Sequence, residues 1–127
     1  MDNRAFSIIF DECVQELRQL GRLKGGEYAQ EGDRLSNFKL NGERFNIHPL
    51  QTWAIYVAKH QDAIDTFIRD VVAGKTRDRA ESIESRALDI ALYMILFVAL
   101  NRELNGQGDD TSAEIRHLIW EDEHKQS

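Results

Sequence analysis

The feature that most constrains this chain is a run of fourteen residues, Ala87 to Leu100, in which Asp89 is the only charged side chain. A membrane-spanning helix needs about 20 consecutive apolar residues, so this run is too short to cross a bilayer. Apolar side chains on nearly every side of a helix are typical of an element that others enclose. The run therefore predicts a central, buried helix from about Ser82 to Leu104, followed by a stop at Asn105-Gly106-Gln107-Gly108.

Two further long helices are predicted from apolar spacing. In the first, apolar residues recur at i, i+3, i+4 and i+7, which places them on one stripe of a helix over roughly residues 4–23. These residues are Phe6, Ile9, Phe10, Cys13, Val14, Leu17 and Leu20. Gly25-Gly26 is expected to end it, because glycine costs about 1 kcal/mol in a helix interior. His48-Pro49 opens the next helix and Gly74 ends it, since proline suits a first helical position and glycine a C-terminal cap.

Shorter elements complete the expected fold. Asp33 can cap a helical turn over Arg34 to Leu40, and Asn41-Gly42 predicts a turn after it. Residues 43–47 carry a weak strand signal. Thr111 and Glu114 form a capping box for a short last helix within 109–127, whose apolar residues would cover the bundle. Those residues are Ile115, Leu118 and Ile119. We expect a single all-α domain over 1–127, a compact bundle of three long helices plus short ones.

Composition limits the partners and the cellular location. The net charge is −6, and the 16 Lys and Arg residues are scattered, which argues against capture of nucleic-acid backbone. Cys13 is the only cysteine, so an internal disulfide is excluded. The N-terminus has no secretory pattern of a basic start, an apolar segment and a small-residue cleavage site. The sequence therefore predicts a cytoplasmic protein that does not enter membranes.

Asp89 is the sharpest candidate for chemistry, because a carboxylate buried without a partner costs several kcal/mol. One interpretation is a structural ion pair with Arg86, one helical turn earlier. The other is a metal ligand. Glu84 lies about 140° around the helix from Asp89, so the two could share an ion only with ligands from another helix.

Residues 59–65 of the preceding helix, KHQDAID, could supply those ligands. Asp65 and His60 border its expected apolar stripe, whereas Asp62 and Lys59 lie farther out. A set of carboxylates suits Mg²⁺ better than Zn²⁺. The candidate metal ligands are Asp62, Asp65, Glu84 and Asp89, and the candidate catalytic residues are Asp65, Glu84 and Asp89. For His60, a half-buried histidine without a ligand role is the simpler interpretation.

The stretch KGGEYAQEGDRLSNFK, residues 24–39, offers a second group of candidates. Lys24 and Arg34 could bind phosphates, Asn37 could recognise a base or ribose edge, and Tyr28 could stack on a ring. Lys59 and His60 join them as candidate ligand-binding residues. The alternative is an exposed loop in which Arg34 pairs with a neighbouring acid. If the stretch binds a ligand, Lys24, Arg34 and Asn37 should face the same cavity as Asp89.

Three blocks in this order resemble a known family. They are KGGEYA with DRLSNFK, then WAIYVAKHQDAI, then ESRALDIALYMILF. Over roughly residues 6–104 the chain resembles the phage and bacterial nucleotide-modification-associated domain, first type. That family is similar to the MazG-like all-α nucleoside triphosphate pyrophosphohydrolases, which hold Mg²⁺ with an ExxE pair and a later ExxD pair. Asp62 and Asp65 would stand at the first pair and Asp89 at the last acid, while Arg86 stands where the family has an acid.

The resemblance implies a nucleotide or another phosphorylated small molecule as partner, with Lys24, Arg34 and Lys59 neutralising phosphate charge. It also implies Mg²⁺-dependent hydrolysis of a phosphoanhydride and a homo-oligomer, with Ile55 pointing to a subunit contact. Three hypotheses follow. They are a nucleotide-binding protein that is also a pyrophosphohydrolase, a nucleotide-binding module that has lost catalysis, and an acidic phage-type helical protein that binds or inhibits a partner without catalysis.

Overall fold

The computed structural model describes residues 1–28, 32–106 and 110–125, and their side chains outside 26–28 and 110–116. This part of the chain forms five helices. They are α1 (Asn3–Tyr28), α2 (Ser36–Phe45), α3 (Pro49–Ala73), α4 (Ile83–Asn105) and α5 (Asp110–His124). No strand occurs within these ranges. The prediction of an all-α fold is confirmed. None of the described helices is long and apolar enough to cross a membrane.

Local capping sets the bounds of α3 and α4. At the start of α3, His48 Nδ1 accepts a hydrogen bond from the Leu50 amide at 3.1 Å, and Gln51 Oε1 accepts one from the His48 amide at 2.9 Å. Gly74 ends the helix in the left-handed region, with φ of 67°. Ser82 Oγ accepts from the Ser85 amide at the start of α4. Each of these contacts joins groups that are only a few residues apart in sequence. The predicted bounds of α3 and α4 agree with the observed bounds to within a residue or two.

The predicted end of the first helix is wrong, because α1 continues through Gly25 and Gly26 to Tyr28. Gly25 is buried, and a Cβ atom built on it would clash with the guanidinium of Arg34. The glycine is therefore explained by a close approach from another segment. It is not a helix stop.

The predicted turn at Asn41-Gly42 is also wrong, and so is the weak strand signal that follows it. Both stretches belong mainly to α2, which runs from Ser36 to Phe45. A Cβ on Gly42 would lie 2.9 Å from the Ile47 carbonyl oxygen, so this glycine lets the chain fold back tightly. The helix ends at Asn46, whose φ of 54° is left-handed.

The core lies where α2, α3 and α4 meet. It consists of Leu35, Phe38 and Leu100, against which five partly buried side chains pack. Those five are Leu50, Trp53, Tyr56, Tyr93 and Leu96. Trp53 donates from Nε1 to the Tyr93 carbonyl at 2.6 Å, which ties α3 to α4. The C-terminal half of α1 packs on α4, where Lys24 meets Asp89 and Gly21 lies beside Leu92.

Much apolar surface stays uncovered in the single chain. The outer side of α4 is exposed at Met94, Ile95 and Val98, so the predicted enclosure of this helix is wrong for that side. Leu118 and Ile119 of α5 are also exposed and do not cover the bundle. The side chain of Ile115 lies outside the described residues.

A cluster of charges fixes the connection between α3 and α4. Asp70 is buried near the end of α3, and its carboxylate accepts hydrogen bonds from Arg77 at 2.7 Å and from Arg79 at 3.0 Å. The hydrogen bond from Arg77 is the main reason that the pKa of Asp70 is lowered. Arg79 also lies over the ring of Phe67. The polar connection is therefore anchored to α3 and holds Glu81 beside the start of α4.

Candidate anion-binding site

A cavity of about 690 Å³ opens between α1, α2, α3 and α4. Its volume is in the range of roughly 300 to 1,000 Å³ that is usual for small-molecule sites. Its charged lining residues are Lys24, Arg34, Lys59, Glu81, Arg86 and Asp89. Its ring-bearing lining residues are Phe38, Tyr56, His60 and Tyr93, and Asn37 also lines it.

The cavity carries an excess of positive charge. Lysine and arginine outnumber acids by four to two in its lining, whereas the whole chain has 16 basic and 22 acidic residues. A concave wall of one sign focuses the electrostatic field and raises the local concentration of ligands of the opposite sign. This cavity is therefore suited to an anion, although the protein as a whole repels one.

Asp89 is held by a cation from α1. Its Oδ1 accepts a hydrogen bond from Lys24 Nζ at 2.7 Å, and its side chain is buried. The predicted pairing with Arg86 is therefore not the one that forms. Arg86 instead lies beside His60, and its Nε is 3.5 Å from Glu81 Oε2.

His60 is neutral and serves as a hydrogen-bond acceptor for Arg86. Its ring is only 4% exposed, and this burial is the largest reason that its pKa is lowered. Nearby Asp89 opposes that shift, while the cations of Lys59, Arg86 and Lys24 reinforce it. Arg86 Nη1 lies 3.1 Å from His60 Nδ1, so the imidazole proton belongs on Nε2. Asp89 Oδ2 is 3.8 Å from Nδ1, too far for a hydrogen bond.

Arg34 reaches the cavity across the backbone of α1. Its Nη2 donates to the Gly21 carbonyl at 2.7 Å, and its guanidinium lies against Gly25. Any other residue at position 25 would place a Cβ where this guanidinium lies. Gly25 therefore provides the space that Arg34 occupies.

Aromatic rings form the apolar part of the wall. The rings of Tyr93 and His60 lie 5.4 Å apart between centroids, and those of Phe38 and Tyr56 lie 5.7 Å apart. The Tyr56 hydroxyl accepts a hydrogen bond from Asn41 Nδ2, which fixes the ring between α2 and α3. The wall can therefore pack against a planar ring, while the cations hold its charged substituents.

The candidate residues divide into two groups. The cavity brings together Lys24, Arg34, Asn37, Lys59, His60 and Asp89. It does not bring in Asp62, Asp65 or Glu84, which are exposed. Asp62 lines a smaller neighbouring cavity of about 340 Å³, which shares Lys59, Glu81 and Arg86 with the first. The side chain of Tyr28 lies outside the described residues.

The described residues do not assemble the predicted Mg²⁺ ligands. Within this part of the chain, no group of three or more His, Cys, Asp or Glu side chains could hold a metal ion. Asp65 and Glu84 lie on solvent-facing sides of α3 and α4, and Asp89 is occupied by Lys24. Among the described residues, Asp89 is therefore not grouped with Asp62, Asp65 or Glu84, and Mg²⁺ binding stays a prediction.

Four of the lining residues with polar or charged side chains were not among the candidates from sequence: Tyr56, Glu81, Arg86 and Tyr93. Helical spacing could have indicated two of them. Tyr56 precedes His60 by four residues and Tyr93 follows Asp89 by four, so each lies on the same helix face as its predicted neighbour. Arg86 was considered as a partner for Asp89 and as a departure from the family's acids, but not as a ligand-binding residue. Glu81 carried no signal, because its position depends on the anchored connection after α3.

Comparisons of the sequence with family models, with curated proteins and with solved structures return no match. The resemblance to the nucleotide-modification-associated domain stays a prediction that depends on the three quoted blocks.

Proposed function

We propose that this protein binds a nucleotide, or a similar phosphorylated molecule with a planar ring, in the cavity between α1 and α4. The observation that carries the proposal is the local excess of positive charge in an acidic chain, beside an aromatic wall. Phosphate and a flat ring are the two groups that such a lining complements.

The cations differ in how readily they can meet phosphate. Lys59 is exposed at the edge of the cavity and forms no ion pair with the described residues, so its ammonium can approach a phosphate without breaking one. Arg86 is placed by His60 and pairs at 3.5 Å with exposed Glu81, and its guanidinium can still contact phosphate oxygens. Lys24 is already engaged by Asp89, so it contributes less positive charge than the other two. The phosphates would therefore lie between Lys59 and Arg86, with the ring toward Tyr56 and Tyr93.

Hydrolysis is a separate question from binding. The proposed kinship with nucleoside triphosphate pyrophosphohydrolases would require acids around Mg²⁺, and the described acids other than Asp89 and Glu81 lie outside the cavity. If Mg²⁺ takes part, it would enter with the phosphates, because this ion commonly binds through few carboxylates plus substrate oxygens. A binding module without catalysis is thus the form of the proposal that the geometry supports best. Its location would be the cytoplasm, where nucleotides are available.

Thermal unfolding with a panel of nucleoside mono-, di- and triphosphates tests the proposal, with and without Mg²⁺. A ligand at 100 times its Kd adds about 2.7 kcal/mol to the free energy of unfolding. Calorimetry on Lys59→Gln should show affinity lowered by roughly 10- to 100-fold, the value of a charged hydrogen bond. Lys75→Gln is the matched control, because Lys75 is also exposed and lines neither cavity.

The outcomes separate the hypotheses. Binding without release of pyrophosphate supports the non-catalytic module, and binding with release supports the enzyme. No shift with any nucleotide would reject both and leave the acidic interaction protein as the better hypothesis. Self-association, the other partnership that the sequence predicts, stays a proposal, and Ile55, its predicted contact, lines the same cavity.

A further inference from the structure

The smaller cavity, of about 340 Å³, adjoins the candidate site and opens to solvent beside it. We call it the second cavity. It lies between one face of α3 and the connection that leads into α4, and the residues that α3 contributes follow the spacing i, i+3, i+4 and i+7. They are Lys59, Asp62, Ala63 and Thr66. Because only Lys59, Glu81 and Arg86 line both cavities, the second cavity is a separate space that shares one wall with the first.

The far end of the second cavity lies well away from this shared wall. Lys59 and Thr66 are seven residues apart on α3, which is about 10 Å at the helical rise per residue. A hydrogen bond spans only about 3 Å. A phosphate bound at Lys59 and Arg86 therefore leaves the far end open, and a group bound there is a second one.

Two guanidiniums from the connection lie toward this far end. Arg77 and Arg79 both donate to Oδ2 of buried Asp70, at 2.7 and 3.0 Å, one helical turn beyond Thr66. One carboxylate balances only one of these two positive charges. Arg77 is half-exposed, and its hydrogen bonds with the described residues use Nε and Nη2, so Nη1 is available to a ligand.

The lining of the second cavity suits an anion without a ring. Four cations line it, Lys59, Arg77, Arg79 and Arg86, against the two acids Asp62 and Glu81. Positive charge still predominates when Asp70, which lies behind the arginines, is counted as a third acid. Among the described residues, its lining includes no aromatic side chain, in contrast to the first cavity. Charge without an aromatic wall complements a phosphate group alone.

We propose that the second cavity is a separate phosphate-binding site, in which Arg77 and Arg79 hold a phosphate group at the end away from Lys59. Its ligand is an oxyanion of the phosphate or pyrophosphate type, either free or at the end of a longer molecule that also enters the first cavity. Asp62, whose exposed carboxylate lines the second cavity, limits the affinity by repulsion. The site does not require a nucleotide in the first cavity, so the two proposals can fail separately.

Titration of the isotope-labelled full chain with inorganic pyrophosphate, without divalent metal, tests the site by NMR. The amides of Ala80 and Ile83, which line only the second cavity, should shift. Those of Phe38 and Leu92, which line only the first, should shift far less. Shifts that are as large at Phe38 and Leu92, or no shift at millimolar pyrophosphate, would overturn the inference.

Two variants change the charge of the second cavity in opposite directions. Arg77→Gln should raise the Kd for pyrophosphate about tenfold, the value of a charged hydrogen bond. Asp62→Asn should lower that Kd about threefold, and the fold should not depend on so exposed a side chain. Lys75→Gln and Asp65→Asn are the matched controls, because both residues are exposed and line neither cavity. A Kd that neither Arg77→Gln nor Asp62→Asn changes would contradict the site.

Competition identifies the source of the phosphate. The common nucleoside mono- and triphosphates are bound first, and pyrophosphate is then added. Displacement of a triphosphate but not of a monophosphate assigns the site to the end of a nucleotide's phosphate chain, whereas pyrophosphate that binds beside a triphosphate assigns it to a free anion. Displacement of a monophosphate as well would place pyrophosphate on Lys59 and Arg86 and overturn the separate site. If no nucleotide binds, the proposed function fails, while the pyrophosphate titration still decides this inference.

Discussion

Lys24 and Asp89 are 65 residues apart in sequence, yet Nζ of the lysine lies 2.7 Å from Oδ1 of the aspartate. The pair joins α1 to α4 at the wall of the cavity. It also neutralises a buried carboxylate, which explains how a helix with no other charge from Ala87 to Leu100 tolerates Asp89.

Asp89→Asn should separate a structural role from metal binding. Loss of the ion pair should lower the free energy of unfolding by about 1 to 3 kcal/mol. Affinity for a nucleotide without Mg²⁺ should rise by about fivefold, because a negative charge near the phosphates is removed. Calorimetry measures the second effect and chemical denaturation the first. Asp65→Asn is the control, since Asp65 is exposed outside the cavity; binding that is lost only with Mg²⁺ would instead identify Asp89 as a metal ligand.

His60 should make stability fall in mild acid. Burial lowers the pKa of His60 below the unfolded value of 6.5. In mild acid the imidazole is therefore protonated more readily in the unfolded chain than in the folded chain. The stabilising effect is complete above pH 6.5 and is lost as pH falls toward the folded pKa. Each pH unit in that window should cost at most about 1.4 kcal/mol.

Denaturant unfolding of His60→Asn between pH 7.5 and about 5 checks this expectation, because asparagine can still accept from Arg86 but does not titrate. The variant should show a shallower pH dependence than the wild type. His117→Asn, at an exposed position on α5, should keep the wild-type slope. Equal slopes for the wild type and His60→Asn would contradict the assignment.

Gly25→Ala should uncouple stability from binding. Alanine favours a helix over glycine by up to about 1 kcal/mol, and the atoms it meets belong to a flexible side chain. Stability should therefore be kept or rise, while Arg34 is displaced from the Gly21 carbonyl and nucleotide affinity falls by about tenfold.

Gly21→Ala supplies the matched control for this substitution. Its Cβ would make an ordinary contact of 3.6 Å with Leu92 Cδ1, and it leaves the guanidinium of Arg34 untouched. The same gain in stability is expected without loss of affinity. If both variants bind equally well, Arg34 takes no part in the site.

Thr52→Val should stabilise the fold. Thr52 is 2% exposed, and it is the described residue whose buried hydroxyl has no hydrogen-bond partner. Replacing that hydroxyl with a methyl group of similar shape should raise the free energy of unfolding by about 1 kcal/mol. Thr66→Val, where the hydroxyl accepts from Arg69 near the surface, should not. Denaturant midpoints of the two variants give the comparison, and a destabilised Thr52→Val would point to a bound water at Thr52.

The helix bounds that sequence predicted well are those set by local chemistry. The caps at His48, Gly74 and Ser82 form hydrogen bonds with backbone groups only a few residues away. Both partners of each bond can therefore be identified from the sequence. Gly25 and Gly42 show the opposite case. A side chain at position 25 would clash with the guanidinium of Arg34, and one at position 42 would clash with the Ile47 carbonyl oxygen. A local rule interprets both as helix breakers, and tertiary contacts override it.

The candidate site was predicted in part for a similar reason. Lys24, Arg34 and Asn37 were expected to face one cavity with Asp89, and all line it. Asp65 was grouped with Asp89 from its angle on another helix, which leaves the relative rotation of α3 and α4 undetermined. Glu84 is on the same helix as Asp89 but about 140° around it, so the two could meet only through a ligand from elsewhere. The partner of Asp89 could not be found from sequence, since it depends on how α1 docks on α4.

α1 carries Lys24 at one end and the apolar stripe around Phe10 at the other, and it is one continuous helix of 26 residues. A shift of this continuous helix along α4 therefore moves both of its ends together. A change at Phe10 that alters the docking of α1 would therefore alter the affinity of the cavity, and ligand binding would act back on that docking by the same coupling free energy, as reciprocal linkage requires. Nucleotide affinity of Phe10→Ala would then differ from that of the wild type, although Phe10 does not line the cavity.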